Sequence, residues 1–116
     1  MHEMLLAQRI IDLIEQIMEE NRAKKALIIH ITAEKMSLLS PIFLQSSFTA
    51  LTENTKFADT VLDIKFVPVV NHCPNCNRVF VSEEIISNCI YCGWENPVPI
   101  WGRSVKIEGI EVLDDG

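Results

Sequence analysis

The residues best suited to chemistry fall in two places, one of them rich in sulfur. The stretch "CPNCNRVFVSEEIISNCIYCG" carries Cys73 and Cys76, then twelve residues, then Cys89 and Cys92. Each Cys-x-x-Cys is a tight turn that presents two sulfurs to one ion. Two such turns facing each other make a tetrahedral thiolate cage, which zinc prefers because its filled d-shell imposes no other geometry. The residue after each second cysteine is expected in left-handed backbone, which lets amides point at sulfur. Gly93 adopts that conformation freely and Asn77 tolerates it. Two structural disulfides and a redox pair are the alternatives. Disulfides fit poorly with a chain that shows no secretory leader. A thioredoxin-like dithiol needs one pair only, at a helix start after a strand, and neither pair is so placed. His72, beside Cys73, is either a solvated neighbour or the fourth donor of a three-sulfur site. A cage of four thiolates leaves no open position, so it speaks for architecture rather than catalysis.

The second place is the start, "MHEMLLAQRI". An α-amine followed by histidine is a chelator: the Met1 amine, the His2 amide nitrogen and the His2 imidazole can close five- and six-membered rings around one ion. Nitrogen donors in a plane suit nickel(II) or copper(II). These donors bind only when deprotonated, so such a chelate would hold nickel at neutral pH and shed it in acid. The bland alternative is that His2 and Glu3 are polar leader residues at a frayed helix end. Glu3 would then serve the helix dipole.

Composition narrows the partners. The chain has 116 residues, 48% of them hydrophobic and 22% charged, which suffices for one modest core or one domain with a small appendage. Ten basic against 16 acidic residues give a net charge of −6, a poor match to nucleic-acid phosphates or an anionic membrane surface. Between Cys73 and Cys92 the only basic residue is Arg78, set against Glu83 and Glu84. Cations and basic protein partners stay open. The N-terminal apolar stretch is interrupted by Glu3, Arg9, Asp12 and Glu15, and nothing is long or apolar enough to span a bilayer. The expectation is a cytoplasmic protein. There is no nucleophile–base constellation and no phosphate-cradling glycine loop, so an enzyme is not expected.

The elements that must position these residues read in order along the chain. Leu6, Ile10, Leu13, Ile14 and Ile17 have the spacing of an amphipathic helix over 4–20, closed by Asn21-Arg22. In "ALIIHITAE" Leu27, Ile29, Ile31 and Ala33 alternate as the buried face of a strand, with His30 on the other face. Ser40-Pro41 starts a second helix, a capping hydroxyl followed by proline, with Leu44, Phe48 and Leu51 on one side. "TVLDIKFVPV" is a second strand. In "SVKIEGIEVL" the strand pattern slips phase, Val105 and Ile107 against Ile110 and Val112, so a bulge near Gly109 is expected. The last strand should join the sheet begun before the cysteine segment, which would hang from two neighbouring strands at Val70-Asn71 and near Gly102. The predicted fold is α/β of the α+β kind: two helices on a small three-stranded sheet, with an inserted zinc-ribbon-like domain. The predicted division is 1–70 plus 103–116 for the first part and 71–102 for the second.

Taken together, "MHE" running into "MLLAQRIIDLIEQ", the pair "CPNC" and "CIYC", and the closing "GRSVKIEGIEV" resemble the HypA/HybF family of hydrogenase nickel-incorporation proteins over nearly the whole chain. The resemblance implies nickel(II) held by the Met1 amine, His2 and Glu3, and structural zinc at Cys73, Cys76, Cys89 and Cys92. It implies a nickel metallochaperone that delivers its cargo to the precursor of the [NiFe]-hydrogenase large subunit with a HypB-type GTPase. In some relatives urease maturation proteins are further partners. The expected state is a monomer or weak homodimer. A non-catalytic zinc-ribbon interaction module is the alternative. The sequence departs from the family where a "GELSG"-like stretch is usual; here it reads Ala33-Glu34-Lys35-Met36-Ser37. Ser104 stands where an acidic residue usually follows the Gly-Arg pair.

Overall fold

The computed structural model describes residues 2–100 and 104–114, without the side chains of Met36 and Asp114. Helix α1 (Glu3–Asn21) ends where Arg22 turns left-handed at φ 54° and its N–H donates to the Glu19 and Met18 carbonyls. Strand β1 (Ala23–Glu34) follows at once, then a single 3-10 turn at Lys35–Ser37. Helix α2 (Pro41–Thr52) opens with the predicted cap: the Ser40 hydroxyl accepts from the Phe43 N–H at 3.3 Å, with Pro41 in the first turn. The remaining strands are β2 (Val61–Val67), β3 (Val69–His72), β4 (Val79–Ser82), β5 (Val98–Pro99) and β6 (Val105–Asp114).

The strands form two three-stranded sheets, ordered β2-β1-β6 and β4-β3-β5. The last strand does join the first sheet. One expectation is corrected: the strands that lead into and out of the cysteine segment are not neighbours, because β1 lies between them. A second correction concerns "TVLDIKFVPV", which is two strands. Pro68 has no N–H to give to a ladder, so β2 stops at Val67 and β3 starts the other sheet at Val69.

Two compact units result, one of Met1–Ile31, Leu39–Lys65 and Ile107–Gly116, the other of Thr32–Leu38 and Phe66–Lys106. In the first, α1 packs on α2. The core takes Ala7, Ile10, Ile11, Ile14 and Met18 from α1, Leu44 and Phe48 from α2, and Ile29 and Ile31 from β1. The buried stripe of α1 is therefore rotated from the predicted one: Ala7, Ile11 and Met18 are inside, while Leu6 and Ile17 are half-buried and Leu13 is 44% exposed. In α2, Thr52 replaces Leu51 in the interior, where its hydroxyl donates to the Phe48 carbonyl at 2.7 Å. In β1, Leu27 is outside and Ala26 inside, so the alternation predicted for the whole strand holds only from Ile29 onward. Along β6 the half-buried positions are Val105, Ile107, Gly109 and Ile110. The alternation thus changes phase at Gly109, where the sequence pattern slips.

The second unit has a smaller core of Cys73, Phe80 and Cys89, with Cys76 and Ile86 against it. In its sheet, β3 pairs antiparallel with β4 (Asn71 opposite Phe80, His72 opposite Val79) and with β5 (His72 opposite Val98). Asn71 is fully buried, and its side-chain amide donates to the Ser82 hydroxyl at 3.0 Å. Satisfying that amide removes the penalty a lone buried polar group would carry.

Candidate metal centre

The cysteine site is made by two turns of the same construction. In the first, the Asn77 N–H donates to the Cys73 carbonyl at 2.8 Å and the Cys73 N–H to the Arg78 carbonyl at 3.0 Å. In the second, Gly93 N–H donates to Cys89 O at 3.0 Å and Cys89 N–H to Trp94 O at 2.9 Å. Each turn needs a residue with positive φ after its second cysteine. Asn77 at 60° and Gly93 at 77° supply it, as the sequence suggested. An L side chain other than asparagine is disfavoured at that φ, so these positions set the geometry of both sulfur pairs.

The turns face each other. Cys73 Sγ lies 3.6 Å from Cys92 Sγ, Cys76 Sγ lies 3.8 Å from Cys89 Sγ, and all four sulfurs are within 4.8 Å of one another. Four sulfurs around a tetrahedral zinc at about 2.3 Å stand roughly 3.8 Å apart. The spacing and the all-sulfur donor set therefore fit zinc. Among the described residues these four are the one cluster of three or more histidine, cysteine or acidic groups close enough to hold a metal.

The thiols are not equivalent. Asn75 Nδ2 donates to Cys92 Sγ at 3.5 Å, and this bond, with the Trp94 N–H, holds the Cys92 thiol down at about 6. Burial pushes the Cys76 thiol up to about 11. For Cys89, burial opposes ionisation but is outweighed by donation from the Cys92 and Tyr91 N–H groups, so its thiol is lowered. The two turns thus stabilise negative sulfur most at exposed Cys92. Around the site, Tyr91 packs edge-on against Phe80 at 5.9 Å, and the Arg78 guanidinium lies 4.7 Å from the Tyr91 ring centre. Asn75 was missed from sequence, although its place inside Cys-x-x-Cys was the available signal.

The other candidate residues lie elsewhere. His72 is on β3 and its Nε2 is 2.8 Å from the Asn77 side-chain oxygen; it is outside the four-sulfur cluster. Met1 is outside the described residues. His2 is exposed and precedes α1, where its carbonyl accepts the Leu6 N–H at 3.1 Å and its side chain makes no capping bond. Glu3 begins the helix, and its Oε1 accepts the Ser40 N–H at 3.2 Å. That bond ties the start of α1 to the start of α2, a link that sequence reading did not foresee. His30 is in mid-β1 between two carboxylates.

Two helices, two small sheets and four converging thiols define a small metal-binding protein of the α+β class. A family described as "Hydrogenase/urease nickel incorporation, metallochaperone, hypA" matches residues 1–112, and the chain belongs to this HypA family. It is 28% identical to the hydrogenase maturation factor HypA of Solidesulfovibrio magneticus, over 97% of this chain and 99% of that one. With the factor of the same name from Dechloromonas aromatica the identity is 25%, over the same shares. The fold matches the solution structure of the nickel metallochaperone HypA from Helicobacter pylori with a TM-score of 0.66, at 24% identity, over 99% of this chain and 100% of that chain. Among the described residues no helix is long and apolar enough to cross a membrane.

Proposed function

We propose that this protein binds nickel(II) through the Met1 amine, His2 and Glu3 and delivers it to the precursor of a [NiFe]-hydrogenase large subunit. The observation that carries the reading is family membership over residues 1–112 together with the residues Met1-His2-Glu3. The surroundings of that start support it. The first N–H groups of a helix have no partner within the helix, so the amides near His2 are free of the α1 ladder. His2 is exposed, and an exposed terminal chelate can pass its ion on by exchanging ligands one at a time.

In the same reading Cys73, Cys76, Cys89 and Cys92 hold structural zinc, which cross-links the two turns. A full thiolate shell has no vacant position for transfer, so the cargo travels at the terminus. The division of labour follows the predicted boundaries, with nickel on 1–70 plus 103–116 and zinc on 71–102. Partners are a HypB-type GTPase, the hydrogenase precursor and urease maturation proteins, all met in the cytoplasm. The protein catalyses no reaction itself. The net charge of −6 suits cation handling and basic protein surfaces.

The test is a nickel titration of the tag-free protein beside His2→Ala and beside a version extended at its N-terminus. Each change should weaken nickel binding at least tenfold while leaving zinc content unaltered. Equal nickel affinity in all three would overturn the assignment and leave the zinc-ribbon interaction module.

A further inference from the structure

His30 sits mid-way along β1, the central strand of the first sheet. Its Nδ1 is 2.9 Å from Asp63 Oδ2 on β2, and its Nε2 is 2.6 Å from Glu111 Oε2 on β6. One imidazole therefore touches both neighbouring strands. A neutral imidazole has one N–H and one lone pair, whereas an imidazolium has two N–H groups. Only the charged ring donates to both carboxylates. When the ring is neutral, one nitrogen turns its lone pair toward a carboxylate oxygen, and that contact becomes repulsive.

Other charges near the ring do not cancel the pair. On β2 the residue two along from Asp63 is Lys65, which alternation places on the same face, and it is exposed. On β1, Ile28 and Thr32 flank His30 on its face and carry no charge. On β6, Lys106 and Glu108 are exposed and of opposite sign. The hydrogen bond to Glu111, then that to Asp63, raise the His30 pKa above its ordinary 6.5, against a smaller opposing effect of burial. His30 and Asp63 are each 38% exposed, so protons reach the ring without any opening of the fold.

We propose that His30, Asp63 and Glu111 form a proton-operated clasp that fastens both edge strands, β2 and β6, to β1. The clasp is closed by the doubly protonated ring, and loss of one proton releases one of the two side-chain ties while the backbone ladder remains. Its contribution is fully present below about 6.5 and is lost as pH rises through the raised value in the folded protein. The two strands concerned are those by which the chain leaves for the cysteine segment and returns from it. A single titration thus acts on both crossings, and it loosens the sheet on the alkaline side.

The experiment uses the full chain with metal content measured and held constant. Histidine ring nitrogens are followed by ¹⁵N NMR from pH 5 to 9, and amide exchange gives protection factors along β2 and β6. His30 should titrate above 6.5 with both nitrogens protonated below that point. Glu111→Gln should lower the midpoint more than Asp63→Asn, since the Glu111 contact is the shorter. Protection of β2 or β6 amides should fall severalfold as pH passes the midpoint, and should stay level in His30→Gln. A midpoint at or below 6.5 would overturn the clasp. So would a midpoint that neither carboxylate substitution moves, or wild-type protection that follows His30→Gln. Ring titration and the two carboxylate variants stand even if His30→Gln folds poorly. None of these readouts uses nickel, so failure here leaves the nickel assignment intact.

Discussion

The cysteine cluster and the amino-terminal stretch are built by opposite means. The cluster draws four side chains from two distant turns and needs several backbone and side-chain constraints to aim them: the carbonyl bonds within each turn, the positive φ at Asn77 and Gly93, and donation to sulfur from Asn75 and Tyr91. The start of the chain needs almost nothing. His2 and Glu3 are consecutive, one exposed at the helix start and one tied by a single bond to Ser40. The sulfur cluster is distributed through its unit, whereas the proposed nickel site sits at the edge of the other. The first is costly to disturb and the second is not.

Stripping metal from the cluster, or Cys73→Ser, is expected to have the largest effect. Structural zinc contributes about 10–16 kcal/mol of apparent binding energy in small zinc-dependent folds, and the hydrophobic cluster described at the site is small: Cys73, Phe80 and Cys89 with two partly buried neighbours. NMR of a chelator-treated sample should lose the dispersed amide signals of β3 and β4 while circular dichroism keeps the helical signal of α1 and α2. Loss of both together would break the contrast. Next in size is Phe48→Ala, which removes one of the largest fully buried side chains and should cost about 3–5 kcal/mol in urea unfolding. Zinc stoichiometry should not change at low denaturant. The smallest effect is expected from Asn75→Ala. Without that donor the Cys92 thiol should rise from about 6 toward its ordinary value. Protons then compete better for the sulfur, so zinc release on acidification, followed with a chromophoric chelator, should begin a fraction of a pH unit higher. An unchanged or lower release point would show that Asn75 does not support the thiolate.

Much of this is legible in the amino-acid sequence, and the reasons are local. Cys-x-x-Cys twice, each followed by a residue tolerant of positive φ, fixes the turns and so the cage. Ser40-Pro41 marks the start of α2 through capping chemistry that needs only a few adjacent residues. What was not legible depended on partners far along the chain. Helix α1 carries apolar residues around more than half of its circumference, and α2 with the sheet decides that Ala7, Ile11 and Met18 face inward while Leu13 does not. Pro68 ends β2 because it has no N–H, but whether the apolar run resumes in the same sheet or another is decided by strands distant in sequence. The partners of His30 lie 33 and 81 residues away, beyond the reach of any periodicity. The chelating potential of Met1-His2-Glu3 is local, but its assignment to nickel rests on the family resemblance that the cysteine pairs and the closing strand also carry.

The central place of β1 has a consequence for how the molecule is made. As the ribosome delivers the chain, β1 and β2 emerge early, but the second edge of β1 stays bare until Val105 and its successors arrive. All four cysteines precede Val105 in the chain. The sulfur-rich stretch is therefore synthesised before the strand that completes the opening sheet.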